Sequence, residues 1–171
     1  MKIAVFFANG TEELEALTPV DVLKRAGAQV DIISVEDSIL VGSHGIKVIA
    51  DKLVADVKGC DYDAFVIPGG MPGAVNISNC ESAVKMIKKG YAENKLIASI
   101  CASPAVVLAR HGLINGKATC YPHQDFISGL GDFYTGNDVE LFNNVITANG
   151  PKSAFAFSLK ICEYLNITPK F

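Results

Sequence analysis

Leu96-Ile97-Ala98-Ser99-Ile100-Cys101-Ala102-Ser103-Pro104 is the stretch from which the rest of the chain is best read. Its first half is an unbroken apolar run of strand length and its second half carries the residues of a helix start. It therefore reads as a strand turning sharply into a helix with a thiol at the apex. So tight a turn packs backbone closely and needs small residues two positions before and after the apex. Ser99 and Ser103 stand there, where hydrolase elbows carry glycine. Ser103 is a good N-cap, and Pro104 suits the first helical position because its missing N–H would be unpaired anyway. Residues 105–109, Ala-Val-Val-Leu-Ala, continue as an apolar helix. A thiol at such a helix start faces unpaired N–H donors and the positive end of the dipole, which favour thiolate over thiol. The competing reading is a buried structural cysteine that follows a core strand.

Outward from this elbow, apolar runs of strand length alternate with helical patterns. Strands are expected at residues 3–7, 30–35, 64–67, 118–121 and 144–147 besides the elbow strand, with a short glycine-containing hairpin around 41–49. Helices are expected near 12–26, 82–89 and 153–165, besides the elbow helix. Strands that are apolar on both sides and alternate with helices form a mainly parallel sheet covered on both faces, an α/β architecture. Residues 1–171 suit a single domain, with no repeat or linker to divide them. Ligands in such folds sit beyond the carboxyl ends of the strands. Asn9-Gly10, Pro68-Gly69-Gly70, Cys101 and Asn149-Gly150-Pro151 all fall at those ends, so a shared site is expected.

Composition narrows the function classes. Half of the 171 residues are apolar, yet no stretch approaches the ~18 uncharged apolar residues of a membrane span. The apolar segment near the start gives way to Asn9-Gly10-Thr11-Glu12-Glu13 too early for a signal-peptide core, which points to the cytoplasm. A net charge of −3, with 15 Lys and Arg scattered along the chain, offers no basic surface for nucleic acid. The cysteines, 60, 80, 101, 120 and 162, are odd in number, widely spaced and without a C-x-x-C or Cys/His pattern, so neither a disulfide framework nor a structural zinc site is expected.

The first helix carries a second candidate. On a helical wheel Val22 and Ala26 lie within about 20° of Glu15 and Pro19 within about 40°, so Glu15 points along the apolar stripe; Glu12 lies about 60° away. Glu13 falls nearer the polar edge, beside Lys24. A carboxyl group on an inward face near a strand end is either an acid held protonated by its surroundings or a cap on its own helix. Gly69 and Gly70, after the strand at 64–67, let the backbone approach a ligand and point N–H groups at it together with the Ala102 amide. That would make an oxyanion hole or a cradle for an oxidised sulfur; an ordinary βα turn is the plainer alternative.

Taken together, Asn9-Gly10-Thr11-Glu12-Glu13-Leu14-Glu15, Pro19-Val20-Asp21-Val22, Arg25-Ala26-Gly27, Val66-Ile67-Pro68-Gly69-Gly70, Ala98-Ser99-Ile100-Cys101-Ala102-Ser103-Pro104 and Gly150-Pro151 closely resemble the ThiJ/PfpI superfamily, on the branch of the parkinsonism-associated deglycase and its bacterial relatives. The resemblance spans nearly the whole chain. It implies a flavodoxin-like three-layer sandwich, a homodimer, and at Cys101 a reactive, easily oxidised cysteine held by Glu15 and by the amides of Gly70 and Ala102. It implies that Arg25 reaches toward the partner subunit's site. His44, in Gly42-Ser43-His44-Gly45, takes the place of a family arginine, a solvated loop histidine being the other view. Tyr121 departs from the pattern: several relatives carry histidine there, and here His123 is displaced two residues along.

What the resemblance implies about activity is cofactor-independent, metal-free detoxification of small reactive dicarbonyls, of glyoxalase III or deglycase type, with Cys101 as nucleophile and Glu15 as proton shuttle. The alternative is a non-catalytic oxidative-stress sensor or chaperone working through Cys101 oxidation. A cysteine protease or amidotransferase needs a histidine to activate the thiol. The protease branch places it directly after the cysteine, where this chain has Ala102, and no histidine follows His123.

Overall fold

The computed structural model describes residues 1–57 and 61–171; Cys60 lies outside the described residues. In chain order the elements are β1 (Lys2–Phe7), α1 (Glu13–Arg25), β2 (Gln29–Ser34), β3 (Ile39–Val41), β4 (Lys47–Ile49), β5 (Lys52–Leu53), β6 (Ala64–Ile67), α2 (Gly73–Asn79), α3 (Glu81–Ala92), β7 (Leu96–Ile100), α4 (Gln124–Leu130), β8 (Val139–Phe142), β9 (Val145–Ala148) and α5 (Ala154–Tyr164). Seven strands form one sheet in the order β5-β2-β1-β6-β7-β9-β8, and β3 and β4 form a separate antiparallel hairpin. Every pairing in the large sheet is parallel except that of β8 with β9.

The apolar strands are explained by two cores, one on each face. Along β1, Ile3, Val5 and Phe7 join a core with Val22 and Leu23 of α1 and Phe157 and Ile161 of α5. The alternate residues Ala4 and Phe6 join a second core with Ile77 of α2 and Met86 and Ile87 of α3. Successive strand side chains point to opposite faces, so a strand covered on both sides must be apolar throughout. Each large side chain fully buried this way contributes about 1.5–3 kcal/mol. The result is the flavodoxin-like α/β sandwich that the resemblance implies. No helix among the described residues is long and apolar enough to cross a membrane.

Two expectations about local structure need correction. Residues 118–121 are not a strand: Ala118 makes one isolated bridge with Tyr134, while the Thr119 amide bonds the Thr147 side chain and the Tyr121 amide bonds the Cys101 carbonyl. The apolar run is buried as β-like sequence should be, but its amides serve the neighbouring loops rather than a ladder. Nor does the elbow lead into a regular α-helix. Residues 104–108 form a wide π-type turn and 109–111 a tight 3-10 turn, closed by Gly112 in left-handed conformation. Ser103 already has helical dihedrals and caps nothing; its hydroxyl donates instead to the Pro68 carbonyl at 2.6 Å.

Candidate active site

The parallel sheet delivers three loops to one end, those after β1, β6 and β7, and hydrogen bonds fasten them together. The Glu12 amide donates to the Gly69 carbonyl at 3.0 Å, tying the start of α1 to the loop after β6. Ser103 ties that loop to the one after β7. Cys101 sits at the apex with φ +67°, in the left-handed region that costs a non-glycine residue about 1–2 kcal/mol. Its amide donates to Ala148 O at 2.9 Å and its carbonyl accepts from the Tyr121 amide at 2.8 Å. These two bonds hold the strained residue in place, and an observed outlier of this kind is a pointer to function.

Cys101 as a residue is partly exposed, unlike the buried Cys120 and Cys162. Amides of Gly70 and Ala102 bond to the Cys101 sulfur. Glu15, in the first turn of α1, is completely buried. Its Oε2 accepts from the Gly69 amide at 2.8 Å, Oε1 is buried without a geometrically complete hydrogen bond, and the carboxyl also interacts with the Cys101 thiol and with Glu12. Glycine is required at 69 by the closeness of this contact: a Cβ there would come within 2.6 Å of Cys101 Cβ and 2.7 Å of Glu15 Oε2.

The electrostatics reverse one expectation. Burial, then the interaction with the Glu15 carboxylate, push the Cys101 thiol up, and the Gly70 and Ala102 amides only partly oppose them. Burial likewise raises the Glu15 carboxyl from 4.5 to about 7, with repulsion from Glu12 adding to it and the bonds from Cys101 and Gly69 working against it. Helix-start donors alone therefore do not favour the thiolate. Sulfur and carboxyl compete for one negative charge, so a thiolate at 101 is favoured when Glu15 holds the proton.

The remaining candidates separate into near and far. Tyr121 adjoins the elbow through its bond to the Cys101 carbonyl, and its half-exposed ring packs by Gly150. His44 lies on the loop between β3 and β4 with its ring exposed, but its Nδ1 approaches Glu12 Oε2 at 3.2 Å and Glu13 Oε2 at 3.1 Å. It is thus not a free solvated histidine. Glu13, expected at the polar edge of α1, is buried: Oε1 accepts from the His44 amide at 2.8 Å and the Ile46 amide at 3.3 Å. Despite burial, these backbone and His44 bonds hold its carboxyl at about 2. The wheel missed this because the partners come from a loop 31 residues away. Arg25, at the far end of α1, pairs with Asp21 at 2.8 Å and lies over the Phe171 ring. It does not meet Cys101 within this chain, and its expected role concerns a second copy. Of the other histidines, His111 bonds Ser78 and His123 caps α4 beside Asp125.

Residues 1–164 match the model of the DJ-1/PfpI family. The solved structure of Toxoplasma gondii DJ-1, oxidized, superposes with a TM-score of 0.92 at 44% identity, covering 96% of this chain and 90% of that one. Protein DJ-1 homolog B of Arabidopsis thaliana is 39% identical over 96% of this chain, which spans 38% of that relative's length. The glutathione-independent glyoxalase DJR-1.2 of Caenorhabditis elegans is 36% identical over 90% of this chain and 82% of its own. With the family model covering nearly all of the sequence and the elbow, the glycines after β6 and the carboxyl group in place, the chain belongs to the DJ-1/PfpI family.

Proposed function

We propose that this protein converts methylglyoxal and related small dicarbonyls to hydroxy acids without a thiol cofactor, with Cys101 as nucleophile and Glu15 as proton carrier. The observation that carries the reading is a partly exposed cysteine whose sulfur meets two backbone amides and a fully buried carboxyl group raised to about 7. The similarity to a relative named a glutathione-independent glyoxalase supports it.

In this mechanism the Cys101 proton passes to Glu15 and the sulfur adds to the aldehyde carbon of methylglyoxal. The oxyanion forms against the Gly70 and Ala102 amides and takes up a proton to give a hemithioacetal. Glu15, now ionised, removes the hydrogen from the former aldehyde carbon. The resulting enediol is reprotonated at the neighbouring carbon, so one carbon is oxidised, the other reduced, and no outside oxidant enters. Water then cleaves the lactoyl thioester to lactate and regenerates the thiol. A base near neutrality is suited to both giving and taking protons at physiological pH. The test is methylglyoxal turnover in deuterated water without added thiol. Lactate carrying deuterium at C2 in a measurable fraction is the expected product. Consumption without lactate, or lactate whose C2 hydrogen comes wholly from the aldehyde, would overturn the reading.

A second reading is favoured by the same amides: a redox site. Here peroxide accepts attack by the thiolate, giving sulfenic acid and water, and a second peroxide yields the sulfinate, whose oxygens the Gly70 and Ala102 amides and a protonated Glu15 would hold. Intact-mass and peptide analysis after mild peroxide should place two added oxygens on Cys101. Oxidation spread evenly over all five cysteines would remove this reading. A cysteine–histidine hydrolase has less support, since the contacts of His44, His111 and His123 all lie elsewhere.

A further inference from the structure

Helix α2 runs from the loop that carries Gly70 to the turn that follows Ala102, and its last turn holds a buried hydroxyl. Ser78 is 3% exposed. Its Oγ donates to the Val106 carbonyl at 2.7 Å, in the middle of the wide turn after the elbow. The hydroxyl has one hydrogen, so its other contacts are acceptances, from His111 Nε2 at 3.1 Å and from Arg110 Nη1 at 3.4 Å. His111 Nε2 also lies 3.0 Å from the Ser78 carbonyl, which has no hydrogen to give, so Nε2 is the ring nitrogen that carries one. Arg110 reaches on to Asn79 Oδ1 at 3.1 Å.

The two amides that bond the Cys101 sulfur are each gripped through the carbonyl of their own peptide group. The Gly70 amide shares its group with Gly69 O, which accepts from the Glu12 amide at 3.0 Å. The Ala102 amide shares its group with Cys101 O, which accepts from the Tyr121 amide at 2.8 Å. Those bonds set the plane of each donor, but the donors sit on different loops. The Ser103 hydroxyl, on Pro68 O, joins these loops at one point.

A second link runs through α2. At its start the Ala74 amide donates to Gly70 O at 2.9 Å. At its end Ser78 holds the Val106 carbonyl, and the Val106 amide donates to Ala102 O at 2.9 Å. The seven residues between form a stiff rod of about 10 Å. Ile77 of α2 shares a core with Val107 and Leu108 of the turn, so the rod is packed as well as bonded.

Such a brace has a physical reason. Residues 104–108 wind wide and 109–111 wind tight, so the turn lacks the ladder of a regular helix. Hydrogen bonds weaken steeply with misalignment, and the donors of a working site must be held to within about 0.5 Å.

We propose that Ser78 is a positioning residue for Cys101: its hydroxyl, oriented by His111, makes α2 a brace that sets the spacing between the Gly70 and Ala102 amides around the sulfur. The proposal deepens the reading of those amides as the donors that stabilise negative charge at the elbow. Ser78 itself does not touch the reacting atoms.

The test is the rate at which iodoacetamide alkylates Cys101 in the full chain as a function of pH, followed by peptide mapping. With the amides less well placed, Ser78→Ala should move the profile to higher pH and slow alkylation at pH 7 at least about threefold. His111→Ala, at a half-exposed position, keeps the hydroxyl but not its orientation and should move the profile the same way by less. Ser158→Ala is the control. It removes another buried hydroxyl bond, to Ala154 O at 2.7 Å in α5, and should lower the melting temperature while leaving the profile in place. Profiles of Ser78→Ala and His111→Ala that superpose on the parent's would overturn the proposal, and should Ser78→Ala not fold, His111→Ala decides it alone. Alkylation needs no dicarbonyl, so a parent that makes no lactate would remove the glyoxalase reading and leave this one standing.

Discussion

Lactate formation from methylglyoxal should fall at least about 1000-fold in Cys101→Ser, with the fold retained. Serine differs from cysteine at the side-chain tip, and the bonds that hold residue 101 in its left-handed conformation belong to the backbone: its amide to Ala148 O and its carbonyl from the Tyr121 amide. What changes is the proton. A hydroxyl ionises far less readily than a thiol, and the nearby base is Glu15, raised to about 7, which is too weak to strip it. The Gly70 and Ala102 amides that stabilise charge on sulfur cannot make up that difference. A catalytic triad would supply a histidine here, but the three histidines of this chain are engaged elsewhere, with Glu12 and Glu13, with Ser78, and with Asp125. Lactate measured by NMR, alongside melting curves showing a folded variant, checks the prediction. Residual turnover within tenfold of the parent would mean that covalent addition by residue 101 is not the route.

The elbow was legible in sequence because its signals are local. A strand-length apolar run, small residues two positions either side and a proline after the turn are dictated by close backbone packing, whatever the rest of the chain does. The inward tilt of Glu15 was legible for the same reason, since helical periodicity places it with Val22 on a buried stripe. Readings that depended on distant partners were not. Residues 118–121 have the composition of a strand, yet their amides go to Thr147, Cys101 and the loop near Tyr134. Glu13 reads as a polar-edge carboxylate until the loop carrying His44 folds over it. Short elements escaped as well: β5 has two residues, and β8 is a half-exposed edge strand whose pattern is not continuously apolar. The ionisation of Cys101 could not be read at all from the turn. The helix-start donors are visible in sequence, but burial and the Glu15 charge outweigh them, and both are properties of the packed site.

Glu15→Gln should separate nucleophile from proton transfer. Glutamine can keep an oxygen in the bond from the Gly69 amide and place its NH2 where Oε1 now lies without a complete hydrogen bond. It donates to a thiolate as a protonated carboxyl would, and it removes the carboxylate charge that pushes the thiol up. Cys101 should therefore remain alkylated by iodoacetamide within about tenfold of the parent rate. Lactate formation, which needs a group that takes and returns protons, should fall by about 100-fold or more. The same variant carries a stability signature whose sign follows from linkage. A carboxyl raised from 4.5 to about 7 on folding adds stability that is fully present below pH 4.5 and is lost as pH rises through 7. At about 1.4 kcal/mol per pH unit, that loss is about 3 kcal/mol in the parent by pH 8.5. Glutamine does not ionise, so Glu15→Gln should flatten the fall in melting temperature between pH 5 and pH 8.5 while losing turnover at both. Unchanged pH dependence of melting would show that Glu15 does not titrate in this range, and parallel loss of alkylation and turnover would show that it serves only to position the sulfur.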